Sequence, residues 1–225
     1  MLAQTFNDMS QQLARNDMMR RQLFANVAHE LRTPLAIIQG NLEGMIDDVV
    51  PADKTTFLSM EDEVLRMGRL IQDLRDLSLA EINELGLHKE MIDMNLLLER
   101  AVSMLQPLCD EKHLHVQLHL SPSLPMVMAD KDRINQVIYN ILNNAIRYVD
   151  SDRFICIYTS VCVMDGKKMI QTDIADTGNG IEEEDLKHIF QYFYRTEKSR
   201  NRKSGGSGIG LALAKQFVQS HGGTI

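Results

Sequence analysis

A short string near the start of the chain brings a nucleophile, a carboxylate and a hydroxyl close together. The string is Val27-Ala28-His29-Glu30-Leu31-Arg32-Thr33-Pro34. The imidazole of His29 can attack through one unprotonated nitrogen while Glu30 holds the other ring nitrogen. Thr33, four residues on, lies over the same helical face. A zinc-protease site is excluded because Thr33 occupies the position of its second histidine. The string predicts a nucleophilic His29, with a surface histidine as the alternative.

Two asparagines on one predicted helix could hold a cation. Asn140 and Asn144 are four residues apart and share a helix face. Amide oxygens are neutral, hard ligands, suited to a Mg²⁺ ion that keeps waters and phosphate oxygens. Arg147 can reach a phosphate from the same side. Paired asparagines are also common on helix surfaces, so this motif alone leaves both interpretations open.

Two glycine-rich segments follow in the second half of the chain. Asp176-Thr177-Gly178-Asn179-Gly180 comes after a predicted strand, where Asp176 could accept a hydrogen bond from an adenine amine. Gly206-Ser207-Gly208-Ile209-Gly210-Leu211 opens a helix, whose N-terminal donors suit phosphate. Between them lie Phe190, Phe193, Tyr194 and Arg195, then a polar stretch with Lys198, Arg200, Arg202 and Lys203. That stretch is either a solvated loop or a cationic lid over a triphosphate.

The elements that must position these groups begin with two amphipathic helices. Apolar residues step by three and four along the first, at Phe24, Ala28, Leu31, Leu35, Ile38, Leu42, Met45 and Val49. After a turn at Pro51, a second stripe runs through Phe57, Met60, Val64, Met67, Ile71 and Leu74. This spacing predicts an antiparallel helical hairpin. One hairpin cannot bury both stripes well, so we expect a dimeric four-helix bundle formed by residues from about Phe24 to Leu79.

The rest of the chain has a mixed pattern that predicts an α+β domain. We expect helices near 95–111, 131–148, 182–193 and 208–220, and strands near 115–120, 153–164 and 168–175. Asp165-Gly166 is a strong hairpin turn signal between the last two strands. The asparagines and both glycine-rich segments therefore belong to this second domain.

Composition narrows the functional classes. The net charge of −7, from 24 basic and 31 acidic residues, makes general nucleic-acid binding a poor expectation. The three cysteines, Cys109, Cys156 and Cys162, form no Cys-x-x-Cys pair and are expected to be reduced in a cytosolic setting. No apolar run approaches the roughly 18 residues of a membrane helix, and no signal-peptide pattern occurs. We therefore expect the fragment itself to be soluble.

Taken in order, the motifs resemble those of the sensor histidine kinases of two-component systems. His-Glu-Leu-Arg-Thr-Pro is similar to their phosphoacceptor box. Segment 140–148 resembles the N box of the Bergerat-type ATPase fold, and segment 190–195 resembles its phenylalanine box. Segments 176–180 and 206–211 resemble its two glycine boxes. The resemblance covers essentially the whole chain. It implies the end of a HAMP-like helix at 1–15, a dimerisation and phosphoacceptor domain at 16–84, a linker at 85–94, and an ATP-binding domain at 95–225 that lacks its last strands.

The resemblance also implies a reaction and its participants. ATP and Mg²⁺ would be the cofactors, and His29, activated by Glu30, would accept the γ-phosphoryl group. The phosphoryl group would pass to an aspartate of a response regulator, and Thr33 would position a water that removes it again. The implied nucleotide-binding residues are Asn140, which also holds the metal, with Asn144, Arg147, Tyr148, Asp176, Gly178, Gly180, Arg195, Gly206, Gly208, Gly210 and Leu211. The protein would be a homodimer and the cytoplasmic portion of a membrane-anchored sensor.

Two other functions remain to be distinguished. One is another ATPase of the same fold, such as a chaperone, topoisomerase or mismatch-repair module, against which the His29 box argues. The other is a dimeric signalling scaffold that binds nucleotide or a response regulator but transfers no phosphate, against which the intact Asn140, Asp176 and both glycine boxes argue. The expected absence of the last strands argues mildly for the scaffold.

Overall fold

The computed structural model describes residues 2–81, 86–196 and 208–225. The chain divides into two compact units, Met1–Arg75 and Asp76–Ile225. Among the described residues, no helix combines the length and the apolar character needed to cross a lipid bilayer. Gly206 and the predicted basic stretch from Lys198 to Lys203 lie outside the described residues.

The first unit is built from two long helices, as its apolar stripes predict. α1 spans Leu2–Ile46 and α2 spans Lys54–Glu81, of which the residues up to Arg75 belong to this unit. The Asp53 carboxylate accepts a hydrogen bond from the backbone N–H of Thr56 at 2.9 Å, which caps α2. This bond also holds the pKa of the Asp53 carboxyl below its ordinary value. The predicted helical hairpin is confirmed.

The second unit continues from the end of α2 into an α+β domain, as predicted. Its further elements are β1 (Lys89–Ile92), α3 (Met94–Glu111), β2 (His115–His119), β3 (Val127–Asp130), α4 (Lys131–Tyr148), β4 (Phe154–Met164), β5 (Lys167–Asp176), α5 (Glu183–Leu186) and α6 (Gly210–Ser220). In the larger sheet, β2 runs parallel and β5 antiparallel to the central β4. β1 pairs antiparallel with β3 in a separate two-stranded sheet.

The main core of the second unit joins β4 to helices α3 and α4. Ile155 and Ile157 of β4 are fully buried, since alternate residues of a strand face the same side. They cluster with buried side chains of the two helices, among them Leu97, Leu98, Leu105, Ile134, Ile138, Leu142 and Ile146. The Asp130 carboxylate caps α4 by accepting hydrogen bonds from the backbone N–H groups of Asp132 and Arg133, both at 3.1 Å. The cap and the buried face fix the helix that carries both predicted asparagine ligands.

Two stretches differ from their predicted structure. The expected linker at 85–94 contains β1, because residues 89–92 pair with β3, a strand that the sequence pattern does not predict. The helix expected at 182–193 is reduced to α5, and turns follow it. Phe193 has a φ of 61°, a left-handed conformation that a right-handed α-helix excludes. A helix could therefore not have reached the predicted end.

Candidate active site

His29 lies on α1 with its side chain exposed, so a reactant can reach the imidazole. The hydroxyl of Thr33 lies one turn further along and donates a hydrogen bond to the His29 carbonyl oxygen at 3.4 Å. This bond is long for a hydroxyl donor, and the Thr33 side chain is exposed. The hydroxyl is therefore only weakly held and could also bind a water beside His29.

The carboxylate of Glu30 contacts a cation of the neighbouring helix. Its Oε2 atom lies 3.5 Å from Nη2 of Arg66 on α2. Nη1 of the same guanidinium lies 3.9 Å from Oε2 of Glu63. Sequence reasoning did not single out Arg66 or Glu63. Their positions next to apolar stripe residues indicate that both side chains lie near the other helix. The sequence does not give the register of the two helices, so it could not show that Arg66 faces Glu30.

Asn140 meets the start of α6, so the structure joins two of the predicted motifs. Its Nδ2 atom donates a hydrogen bond to the carbonyl oxygen of Gly210 at 3.0 Å. A Cβ at position 210 would lie 3.3 Å from both Cγ and Oδ1 of Asn140, tighter than an ordinary contact. Glycine therefore lets the backbone approach the asparagine closely. With Nδ2 directed to Gly210, Oδ1 is the atom that a cation would bind.

The end of α4 carries the other predicted phosphate ligands. Asn144 and Arg147 are half-buried and Tyr148 is exposed. Lys112, which follows α3, donates from Nζ to the carbonyl oxygens of Ile146 at 2.7 Å and Arg147 at 3.1 Å. A cation at this position stabilises the C-terminal end of a helix. Lys112 therefore helps to fix the turn that carries Asn144 and Arg147, a role that sequence reasoning missed.

Asp176 closes the turn that follows β5. Its Oδ1 atom accepts a hydrogen bond from the backbone N–H of Gly178 at 2.8 Å. A Cβ on Gly178 would lie 2.7 Å from that oxygen and 3.5 Å from the carbonyl oxygen of Tyr148. Only glycine fits there without displacing the carboxylate, and the turn lies against the end of α4. Gly180 has a φ of 68° in the same segment. The exposed Asp176 carboxylate is therefore held in one orientation.

The phenylalanine segment contacts the second glycine-rich segment. The backbone N–H of Phe193 donates to the carbonyl oxygen of Gly208 at 2.9 Å. Gly208 has a φ of 70°, and a Cβ there would lie 2.8 Å from the Cα atom of Phe193. Nζ of Lys215 lies 5.2 Å from the centre of the Phe190 ring, a cation–π contact. The hydroxyl of Tyr194 also donates a hydrogen bond to the Asp185 carboxylate of α5. The Phe193–Gly208 bond and the Phe190–Lys215 contact join this segment to α6 and to the residues just before it.

The predicted nucleotide-binding residues therefore form three contacts in the second unit. Asn140 contacts Gly210, the Asp176 turn contacts the end of α4, and Phe193 contacts Gly208. Arg195 and Leu211 are half-buried in the same segments. Among the described residues, no group of three or more His, Cys, Asp or Glu side chains could hold a metal ion. A Mg²⁺ ion on Asn140 would share its coordination with phosphate and water, which suits its preference for few protein ligands.

Two protein-family models match the chain. Residues 19–82 match the His Kinase A (phospho-acceptor) domain. Residues 129–225 match the family described as histidine kinase-, DNA gyrase B-, and HSP90-like ATPase. The first match contains the His29 string, and the second contains the asparagines and both glycine-rich segments.

The individual proteins that the chain resembles are also histidine kinases. The signal transduction histidine-protein kinase BaeS of Escherichia coli is 38% identical over 224 residues, which is 100% of this chain and 47% of BaeS. The structure of the Acinetobacter baumannii histidine kinase AdeS is 32% identical, with a TM-score of 0.69 over 85% of this chain and 86% of that one. The histidine kinase ThkA, solved in complex with the response regulator protein TrrA, shares the fold at 20% identity, with a TM-score of 0.64 over 94% of this chain and 60% of that one. The chain spans about half or less of the length of the curated relatives it matches.

Proposed function

The chain belongs to the sensor histidine kinases of two-component systems, and we propose that it uses MgATP to phosphorylate its own His29. One observation carries the proposal: an exposed histidine beside a carboxylate on a helical hairpin occurs in one chain with an α+β unit whose Asn140 lies against glycine. Another ATPase of the same fold would not need the His29 string. A scaffold that binds nucleotide without phosphate transfer would not need a histidine exposed beside a carboxylate.

We propose that the second unit binds ATP and Mg²⁺. Asn140 Oδ1 would coordinate the metal, because Nδ2 is directed to Gly210. Asp176, oriented by its bond from Gly178, would accept the adenine amine. With Asn140 holding it, the ion would supply neutralisation of phosphate charge, a main requirement of phosphoryl transfer. The remaining proposed nucleotide contacts are Asn144, Arg147, Tyr148, Gly180, Arg195, Gly206, Gly208 and Leu211.

On the hairpin, His29 acts as the nucleophile. Its unprotonated ring nitrogen attacks the γ-phosphorus, so that an N–P bond forms while the bond to the β–γ bridging oxygen breaks and ADP leaves. Glu30 accepts a hydrogen bond from the other ring nitrogen and stabilises the positive charge that develops on the imidazole. The exposure of His29 supports this role because the γ-phosphate must reach it.

We further propose that the phosphoryl group passes to an aspartate of a response regulator. The histidine kinase ThkA, a protein of the same fold, was solved in complex with the response regulator protein TrrA. Thr33, with its weakly held hydroxyl, would position the water that dephosphorylates the regulator. The chain would act as a homodimer through its two helical stripes. It would be the cytoplasmic portion of a membrane-anchored sensor, with residues 1–15 as the end of a HAMP-like helix.

Incubation with γ-labelled ATP tests the proposal against both alternatives. We expect a label on the protein that is acid-labile and alkali-stable, as a phosphohistidine is. ATP hydrolysis without such a label would indicate another ATPase, and nucleotide binding without hydrolysis or label would indicate a scaffold.

Two variants assign the label to its site. His29→Gln should abolish labelling and leave ATP affinity nearly unchanged, because the imidazole and the nucleotide ligands lie in different units. Asn140→Asp should lose labelling by disturbing the metal site. Acid-labile label on the His29→Gln protein would show that another residue is the acceptor.

A further inference from the structure

Arg66 of α2 forms an ion pair with Glu30, the carboxylate that follows His29. Its two terminal nitrogens point to two different acids, Nη2 to Glu30 at 3.5 Å and Nη1 to Glu63 at 3.9 Å. The side chains of Arg66 and Glu30 are 29% and 22% exposed. Solvent therefore screens this pair less than a fully exposed one.

Glu63 limits the freedom of Arg66. Its Oε2 atom is buried and has no hydrogen-bond partner among the described residues. A buried carboxylate oxygen without a hydrogen bond is costly unless a cation stands near. The guanidinium at 3.9 Å supplies that charge. Glu63 thus attracts Nη1 of the planar guanidinium, while Nη2 remains directed at Glu30.

We propose that Arg66 is a positioning residue for phosphorylation of His29, acting through Glu30; this inference rests on the proposed function. Arg66 holds the Glu30 carboxylate in place, so that its other oxygen is oriented to accept the N–H of the imidazole while the opposite nitrogen attacks phosphorus. Without Arg66, the half-buried Glu30 side chain would sample several rotamers, and fewer of them would orient the imidazole. Glu63 takes part only by holding Arg66.

The alternative is that Arg66 merely ties α1 to α2. Both ideas predict some loss of stability when Arg66 is replaced, so stability alone does not separate them. A positioning role predicts a lower kcat for autophosphorylation at an unchanged KM for ATP. It also predicts that the whole effect of Arg66 depends on the presence of the Glu30 carboxylate.

The first experiment compares Arg66→Met and Arg66→Lys in the 225-residue chain. Arg66→Met should lower kcat about tenfold, a part of the ~10²–10⁴-fold that a positioned acid–base group contributes. Arg66→Lys should recover part of the rate, because lysine keeps the charge but not the fork. Arg69→Met is the matched control: Arg69 is exposed one turn further along α2, and its loss should leave kcat unchanged. Helix propensity differs little between Arg and Met.

The second experiment is a double-mutant cycle with Glu30→Gln. If Arg66 acts through Glu30, adding Arg66→Met to Glu30→Gln should slow phosphorylation no further. Additive effects, or an Arg66→Met protein of normal kcat, would overturn the inference and leave the proposed function standing. A normal rate in Glu30→Gln would overturn the inference as well, since Arg66 would have nothing to position. Absence of any phosphohistidine in the unmodified chain would instead refute the proposed function, and the inference with it.

Discussion

The hairpin and the α+β unit differ in how far their apolar side chains are buried. Along the stripes of the hairpin, Leu35, Leu42, Val64 and Ile71 are each between 44% and 56% exposed. In the α+β unit, by contrast, the central side chains are fully buried, among them Leu98, Ile155, Ile157, Leu213 and Phe217. One unit completes its core within the chain, and the other presents two apolar stripes that remain to be covered.

The same contrast applies to the functional groups. His29 and Thr33 are exposed side chains held by few bonds. Asn140 and the Asp176 turn are held by close backbone contacts to Gly210 and Gly178. Substitutions in the hairpin should therefore act through association or through local chemistry. Substitutions in the α+β unit should act through its internal packing.

A charge placed in a stripe tests the contrast most strongly. Val64→Glu should convert a dimer to a monomer, because burying each valine stabilises a four-helix bundle by about 1.5–3 kcal/mol and two copies are lost together. The dimer dissociation constant should rise at least ~100-fold. Light scattering at micromolar concentration measures the mass. Ser59→Glu, an exposed position outside the stripe, is the control and should stay dimeric. A monomeric unmodified chain with folded helices would show that the stripes do not mediate dimerisation.

In the α+β unit, the strongest effect should come from an ion pair whose carboxylate is buried. The Asp76 side chain is 3% exposed, and its Oδ1 lies 2.9 Å from Nη1 of Arg133 on α4. Its Oδ2 accepts a hydrogen bond from Nε2 of Gln136 at 3.2 Å. Asp76→Ala should lower the free energy of unfolding of this unit by about 1.5–3 kcal/mol, the range for a hydrogen bond to a charged group, because it removes the carboxylate that pairs with Arg133.

Hydrogen exchange of the α4 amides measures this loss at the affected helix. Asp62→Ala removes an exposed carboxylate from the same α2 helix and should change exchange little. The double variant Asp76→Ala/Arg133→Met should recover part of the stability, since the guanidinium that lost its carboxylate is then removed as well. Equal exchange in Asp76→Ala and the unmodified chain would mean that the pair is not a determinant of stability.

How much the sequence could predict depends on the range of the interactions. The helix predicted at 131–148 has the bounds of α4, because the apolar period that indicates it is a local signal. The β4–β5 hairpin was predicted from Asp165-Gly166, which has the positive φ values of 50° and 74° that such a turn requires. The pairing of β1 with β3 was missed because these four-residue strands are separated by more than thirty residues.

The site residues also divide into those with a local sequence signal and those that depend on long-range contacts. Every predicted site residue came from a contiguous motif, and each was identified by its neighbours in sequence. Arg66 and Lys112 were missed because each contacts a partner on a different helix. Such contacts depend on the register of packed elements, which residue spacing within one helix does not determine.

A smaller effect is expected from Thr33, and it tests whether hairpin chemistry can be removed without loss of structure. Thr33→Ala should leave autophosphorylation intact while lowering phosphatase activity toward a phosphorylated regulator about tenfold, within the range for loss of a group that positions a reacting water. Helix stability should not fall, because alanine has the higher helix propensity. Both reactions are measured on one preparation. Equal loss of both activities, or loss of neither, would contradict the role of Thr33.

The smallest effect concerns Asp130, where the α+β unit holds a charge by internal hydrogen bonds. Burial raises the pKa of this carboxyl, but the backbone N–H groups of Arg133, His88 and Asp132 outweigh burial and hold the pKa below its ordinary value. The stabilisation is therefore fully present above the ordinary aspartate pKa of about 3.9 and is lost as the pH falls through the lower pKa of the folded state.

Asp130→Asn shows how much of this stabilisation depends on the charge. Asparagine keeps the helix cap at one oxygen but cannot accept the hydrogen bond that His88 N–H gives to Asp130 Oδ2 at 2.9 Å. We expect a loss of about 1 kcal/mol at pH 6, typical of one hydrogen bond. The difference should shrink below about pH 4, because a protonated Asp130 resembles asparagine. The backbone N–H of Asp130 also donates a hydrogen bond to Nε2 of the His221 ring at 2.9 Å. That backbone N–H is present in both proteins, so its bond to His221 does not contribute to the difference between them. The measurement is the midpoint of urea unfolding of each protein at each pH. A difference that stays constant from pH 6 to pH 3 would show that the cap, and not the charge of Asp130, stabilises the start of α4.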